Sequence, residues 1–352
     1  MKIAVLPGDD IGPEITDAAL KVLHAASVRF GLKLDFDVQE VGMAAHRRTG
    51  TTMPEGALAA ARAADAIILG PAGMTAYPPR HDGGINVPGT VRKQLDLFAN
   101  LRPARSREGV PRAHSGLDLM IVRENTEGFY ADRNLHNGYG EFMPTADCAM
   151  SVRVITAKAS RRIAEVAFQT ASGRRKHVTM VGKRHVLQVT DGLFMREIEA
   201  VAARYPDVKL REVDVDAMAA ELYTRPESFD VVLTTNMFGD ILSNQAVALS
   251  GGLGLAAALN AGEERAAANA GHGSAPDIAG KGIANPTGLI LSTALLLRWL
   301  GAKQRSNAFT AAADAIDTAV DRTLSSGSSR TKDLGGGATT QEFAAKVAGH
   351  LS

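Results

Sequence analysis

The feature that most constrains this 352-residue chain is the alternation of short β-type apolar runs with segments of helical period along most of its length. KIAVLP at the start is followed by PEITDAALKVLHAAS, whose apolar residues recur every three or four positions. LDFDVQEV reads as a strand, PEGALAAARAA as a helix, DAIILG as a strand and VPGTVRKQLDLF as a helix. LDLMIVREN, HVTMVGK, KLREVDVD and FDVVLTTN read as further strands, with helical patterns over 158–171 and 187–203, and the remainder is expected to be mainly helical. Parallel neighbours need crossover connections, usually helices. The alternation therefore predicts an α/β fold with a largely parallel core sheet. The length exceeds what one core usually serves, so two domains are expected.

Composition removes several function classes. A formal charge of +1 and 5% aromatic residues give no general field or stacking surface for nucleic acid, and no attraction to an anionic membrane. The single Cys148 excludes an internal disulfide and a multi-cysteine zinc site, and reads as a buried small hydrophobe rather than a reactive thiol. MKIAVLPGDDIGPEI has too short an apolar stretch for a signal peptide. PTGLILSTALLLRWLG (286–301) is shorter than the ~20 residues a membrane span needs and contains an Arg, so it is expected to be a buried helix starting at Pro286. A cytoplasmic location is the resulting expectation.

In open α/β sheets functional groups gather at the carboxyl ends of strands. Asp9, Asp10, Arg102, Arg123, Lys183, Asp216 and the stretch TTNMFGDILSN (234–244) fall there. GLGLAA (252–257) matches a dinucleotide fingerprint, but it follows the helical DILSNQAVALS instead of a strand, which argues against a Rossmann fold. Asp240 and Asn244 are four residues apart and share a helix face. With Asp216 they form an oxygen-only donor set suited to Mg²⁺ or Mn²⁺, and the competing reading is a solvated helix start. Arg92, Arg102 and Arg123 are either surface residues or guanidinium forks converging on carboxylates; spacing does not decide. Lys183 and Tyr130 are candidate proton carriers.

Taken in order, LPGDDIGPEI, LDLFANLRPAR, VRENTEGFY, the GK…GLF segment at 182–194, TTNMFGDILSN, GGLGL, HGSAPDIAGKGIANPTG and TKDLGGGATT cover nearly the whole chain. This series resembles the isocitrate/isopropylmalate dehydrogenase family of β-decarboxylating dehydrogenases, which includes homoisocitrate, tartrate and D-malate enzymes. The resemblance implies a two-domain fold with a mixed, largely parallel sheet. It places a cofactor-binding domain at 1–98 plus 250–352, and a substrate, metal and dimerisation domain at 99–249 with an interlocking arm near 132–150. It implies oxidation of the C2 hydroxyl of a malate-type acid, then loss of the carboxylate on C3.

On the same ground Arg92, Arg102 and Arg123 bind the substrate carboxylates, with Asn86 near a further substrate position. Lys183 is the general base, supplied across a homodimer interface, and Tyr130 the acid that protonates the enol. Asp216 of the partner subunit, Asp240 and Asn244 stand at the metal positions for Mg²⁺ or Mn²⁺. His272, Gly273, Ser274, Ala275, Asp277, Ile278 and Asn285 stand at the adenosine loop in its NAD form, and Asp277 would repel a 2′-phosphate. His185, where the family has Asn, falls near the nicotinamide. Asn244 replaces the family's usual Asp. This change and His185 motivate the alternative of a catalytically weak homologue that binds ligand without efficient turnover. Pro88 and Gly89 replace two leucines of isopropylmalate enzymes, and RENTEG favours the other branches. The expected substrate is therefore a 2-hydroxy polycarboxylic acid closer to isocitrate, homoisocitrate or tartrate than to 3-isopropylmalate.

Overall fold

The computed structural model describes residues 1–130, 135 and 138–351. Of the expected arm, residues 132–134, 136 and 137 therefore lie outside the described residues. The chain opens with strand β1 (Lys2–Leu6), helix α1 (Gly12–Phe30), β2 (Asp35–Val38), α2 (Gly42–Thr49), α3 (Glu55–Ala63), β3 (Ala66–Leu69), α4 (Val87–Gln94), β4 (Ala99–Arg105) and β5 (Asp118–Glu124). It continues with β6 (Glu141–Thr145), β7 (Cys148–Ser151), α5 (Ala157–Ser172), β8 (His177–Gly182), α6 (Thr190–Ala202), β9 (Lys209–Asp214), α7 (Val215–Thr224), β10 (Val231–Thr234) and α8 (Asn236–Leu249). The last elements are β11 (Ala257–Ala261), β12 (Ala266–Ala270), α9 (Thr287–Gln304), α10 (Asn307–Ser325) and α11 (Thr340–Gly349).

Ten strands form one sheet in the order β2-β1-β3-β12-β11-β4-β5-β10-β8-β9. Its two flanks pair in parallel, and β12/β11, β11/β4 and β4/β5 at the centre are antiparallel. The sheet is thus mixed and largely parallel, as expected. GLGLAA lies between α8 and β11, after a helix and before a strand, so it opens no dinucleotide-binding helix.

Burial follows the pattern of the sequence. Strand β3 is apolar throughout and β10 is apolar except for Thr234, and both are buried at every position, as strands covered on both faces must be. Helices α1, α9, α10 and α11 cover one face of the first flank, and residues of α3 and α4 pack on the other. Around the second flank, α5 and α6 form one core and α7 and α8 another. The helix expected from Pro286 runs over Thr287–Gln304 with Pro286 as its N-cap, and among the described residues no helix is long and apolar enough to cross a membrane.

The region after residue 250 is mainly helical, as expected, but it also holds two strands the sequence did not announce: AALNA and AAANA form β11 and β12, buried along their whole length. Alanine favours helix locally, but at the centre of this sheet its small side chain lets α9 pack close, and burial overrides propensity. Cys148 is half-buried, not buried, because it starts β7 of the separate two-stranded β6–β7 sheet, where every β6 residue is exposed.

Candidate active site

A cavity of about 600 Å³ is lined by Arg92, Arg102, Arg123, Tyr130, Asp240 and His272 among others. Strand β5 ends with Arg123 and Glu124, and Arg123 is only 1% exposed. Helix α8 lies directly over it because residue 239 is glycine; a Cβ there would stand 2.6 Å from Arg123 Cγ. The buried guanidinium donates through Nε and Nη2 to Asn236 Oδ1 (3.0 and 2.6 Å), through Nη1 to Asp240 Oδ1 (2.7 Å) and through Nη2 to the Tyr130 hydroxyl (2.8 Å). Tyr130 in turn donates to Asp240 Oδ2 (2.7 Å).

Arg102, on β4, reaches the same carboxylate through Nη1 (3.0 Å) and also Ser243 Oγ (2.8 Å). Its Nε donates to Asn100 Oδ1 (3.1 Å), and the Asn100 amide donates to Asn260 (2.9 Å), so a chain of buried amides aims the fork. Arg92, on α4, donates to Asn269 Oδ1 (3.2 Å), and Asn269 is itself held by the Leu69 carbonyl (3.1 Å).

The electrostatics follow from this packing. Burial opposes ionisation of Asp240, but Arg123 and Arg102 outweigh it and hold the carboxyl below its ordinary range. Burial and the nearby Arg123 bring Arg102 down to about 10, so it stays cationic at neutral pH. Burial raises Tyr130, against the pull of Arg123 and with the help of Asp240, so its phenol keeps the proton. Among the described residues the cavity lining offers three guanidinium groups, with only Asp240 and the exposed Glu141 as carboxylates. It suits a small polyanion.

Lys183 and Asp216 belong to a different cluster. Lys183 follows β8, and its Nζ donates to Asp214 Oδ2 (3.2 Å) and to Asp216 Oδ1. His185 Nδ1 lies 3.1 Å from the same Asp214 oxygen. The side chain of Lys183 is 22% exposed and that of Asp216 71%. Hydrogen bonding to Asp216 raises Lys183 against the opposing effect of burial, so the ammonium is charged in this arrangement. The same hydrogen bond lowers Asp216.

The structure does not bring Asp216 to Asp240 within one chain. Asn244 is exposed one turn after Asp240 on α8, but among the described residues no three acidic, imidazole or thiol groups assemble that could hold a metal. His185 pairs with Asp214 and is not among the residues lining the cavity.

The residues expected at the adenosine loop form a turn after β12. His272 lines the cavity, with Nδ1 on the Gly273 carbonyl (2.9 Å) and a buried Nε2 that lacks a hydrogen-bond partner among the described residues. Burial lowers its affinity for a proton. Gly273 and Asp277 are exposed, Ser274 is buried with its carbonyl accepting from Ile11, Ala275 has φ 45°, and Ile278 packs on the core. Asn285 is turned inward: its Oδ1 accepts from Thr287 N (3.0 Å) and its amide donates to Asp333 (2.9 Å). Asn86 caps α4 by accepting from Gly89 N (2.8 Å) while lining the cavity. Asp9 is structural: its carboxylate takes the N–H groups of Met43 and Gly73 and the Tyr77 hydroxyl.

The amides of Asn100, Asn236, Asn260 and Asn269 were missed by sequence reasoning, and one signal for them exists. Asn100 stands two residues before Arg102, hence on the same face of β4. Met74, Tyr139, Glu141 and Met237 line the cavity with no local signal at all. A second cavity of about 490 Å³ is lined by Arg105, Arg107, Arg174 and Arg298, but these are ion-paired with Asp118, Asp230, Asp314, Asp317 and Asp321 and leave no surplus charge for a ligand.

The isocitrate/isopropylmalate dehydrogenase family model matches residues 2–347. The chain belongs to this family. It is 45% identical to 3-isopropylmalate dehydrogenase of Methanothermobacter thermautotrophicus, across 100% of this chain and 98% of the relative. It is 43% identical to isocitrate/homoisocitrate dehydrogenase of Thermus thermophilus, across 98% and 97%. A crystal structure of isocitrate dehydrogenase from Methylococcus capsulatus superposes with a TM-score of 0.89 at 40% identity, covering 99% of both chains. The chain is thus a dehydrogenase of this class. The names of these relatives differ in substrate, 3-isopropylmalate for one and isocitrate or homoisocitrate for the other, and they give no support to the expected preference for isocitrate-like substrates.

Proposed function

We propose that this family member is an NAD- and divalent-cation-dependent dehydrogenase. It oxidises the C2 hydroxyl of a 3-substituted malate and releases the C3 carboxylate as CO₂, working as a homodimer with shared sites. The observation that carries this reading is the convergence of Arg92, Arg102 and Arg123 with Tyr130 and Asp240 on one cavity. Bidentate forks suit the two malate carboxylates. Lys183 of the partner subunit accepts the hydroxyl proton as the C2 hydride leaves. The C3–carboxylate bond then breaks, its electrons pass into an enolate, and the Tyr130 hydroxyl delivers a proton to C3.

The donor sets fit the groups the reaction needs. Asp240 and Asn244 offer oxygens on one helix face, and Asp216 is exposed enough to serve another chain. The orphaned His272 Nε2 and the exposed Asp277 suit an adenine nucleotide without a 2′-phosphate. When bound, the cation would supply Lewis-acid stabilisation of charge at the C2 oxygen, and NAD the hydride acceptor. Exposed Phe142, Met143 and Met150 on β6–β7, with Met237 and Ile241 on α8, support a dimer interface. The separate cores support units at 1–98 plus 250–352 and 99–249.

The cavity wall favours an uncharged 3-substituent. Met74, Pro88, Tyr139 and Met237 are apolar or neutral, and Glu141 opposes a third carboxylate. The test is NADH formation from 3-methylmalate, tartrate, 3-isopropylmalate, isocitrate and homoisocitrate, with and without EDTA. Turnover is expected with NAD over NADP, lost on chelation and restored by Mn²⁺. Metal-independent turnover, or none on the whole panel, overturns the reading. A large gain from nothing in Asn244→Asp would instead favour the weakened homologue.

A further inference from the structure

We propose that the buried Arg153–Asp191 ion pair positions Lys183, and therefore acts in the partner subunit's cleft and not in its own. This rests on the shared-site reading above. The Arg153 side chain is 6% exposed and that of Asp191 2%, and their Nη1 and Oδ1 atoms are 2.5 Å apart. Asp191 lies in the first turn of α6, where an acidic side chain ordinarily faces the N–H groups of its own helix. Here it reaches elsewhere. Its Oδ2 accepts the backbone N–H of Lys183 at 2.6 Å, while Oδ1 takes Arg153. A Cβ at Gly182 would stand 3.2 Å from Asp191 Oδ2, a tight contact that the glycine avoids.

The turn that follows is tied at both ends. The Lys183 carbonyl accepts from Val186 and Leu187, and the Leu187 carbonyl accepts from Asp191 N. Lys183 is thus fixed at its backbone by a buried charge, although its ammonium is paired with the partly exposed Asp214 and the exposed Asp216.

Arg153 connects this segment to the other two that carry chemistry. Its guanidinium lies 5.6 Å from the ring of Phe129, next to Tyr130, and 5.4 Å from Phe238, two residues before Asp240. It also donates to Thr190 Oγ1 (2.8 Å) and Thr235 Oγ1 (3.3 Å). One guanidinium therefore sets the position of the base-bearing turn against the segments holding the acid and the cation ligand. Neither Arg153 nor Asp191 lines the cavity, so they are positioning residues.

The experiment uses the full-length dimer. Asp191→Asn keeps the shape and removes the charge. Because displacement of a reacting group by about 1 Å can cost about 100-fold, kcat is expected to fall by about that factor with both KM values within about twofold. A raised KM at unchanged kcat overturns the proposal.

Two hybrid dimers separate its failure from failure of the shared-site reading. Lys183→Met combined with Tyr130→Phe leaves one site with both proton carriers intact, so activity returns to about half the wild-type rate if sites are shared. No return overturns the shared-site reading and the proposal with it. Given that return, Asp191→Asn combined with Tyr130→Phe is expected to recover equally, because the intact Tyr130 meets a well-placed Lys183 from the other chain. If it stays at the level of its parents, Asp191 serves its own cleft or only the fold, and the proposal fails. Should Asp191→Asn not fold, Asp191→Glu, which keeps the charge and changes the reach to the Lys183 N–H, takes its place in the same hybrid with the same two outcomes.

Discussion

The Asp240 cluster and the Asp216 cluster are built from the same materials, carboxylates facing cations, yet they differ in kind. Asp240 is held by two buried arginines and a phenol beneath α8. Asp216 stands at the start of α7, beside the edge strand β9, with its side chain 71% exposed and a lysine as its cation. A buried pair is costly to break, because the surviving charge stays out of water. An exposed pair contributes little and exchanges partners easily. The arginine cluster is thus completed within one chain, and the Lys183–Asp216 cluster is left exposed, as the proposed shared site requires.

The sharpest way to break this contrast is Lys183→Met. It is expected to lower kcat by about 10²–10⁴-fold, as loss of a general base does, while the thermal unfolding midpoint stays where it is. A substantial fall in that midpoint would show that the exposed cluster is structural after all.

Arg123→Met probes the other side. Removing this cation leaves Asp240 with Arg102 and the Tyr130 hydroxyl as its remaining partners and empties a hydrogen-bonded position on Asn236 and Tyr130. The unfolding free energy from urea titration is therefore expected to fall by about 3 kcal/mol. A loss below about 1 kcal/mol would place Arg123 in the exposed class and remove the distinction.

A smaller effect comes from Glu127, whose carbonyl accepts from the Asn236 amide (2.9 Å) and whose carboxyl receives the N–H and hydroxyl of Thr156 at the start of α5. Burial, then repulsion from Glu124, pushes its carboxyl up to about 7. The folded state therefore holds a proton that the unfolded chain releases near the ordinary glutamate value of 4.5. Its contribution is present below that value and is lost as pH rises through about 7. Glu127→Gln should flatten the decline in stability over this window, read as denaturation midpoints at several pH values; parallel wild-type and variant curves would refute it.

Much of this was legible before any coordinates. The strand–helix alternation gives the sheet its class, and Asp240 and Asn244 do share a face of α8, because a four-residue spacing in a helix is local geometry. The rejection of GLGLAA held for the same reason, since what precedes it is helix. The two alanine-rich strands escaped detection because their conformation comes from burial between neighbours distant in sequence.

Arg153 and Asp191 escaped for a related reason: they are 38 residues apart, and nothing in the local pattern of either announces the other. The sequence by itself determined most of the elements, the family and the residue types available for chemistry. Tertiary structure alone decided that Asp240 is locked among arginines, that Asp216 and His185 lie in another cluster, and that one buried guanidinium joins the three chemical segments. Periodicity reports only which face of an element is apolar, whereas the energy of a charge depends on what surrounds it once water has been excluded.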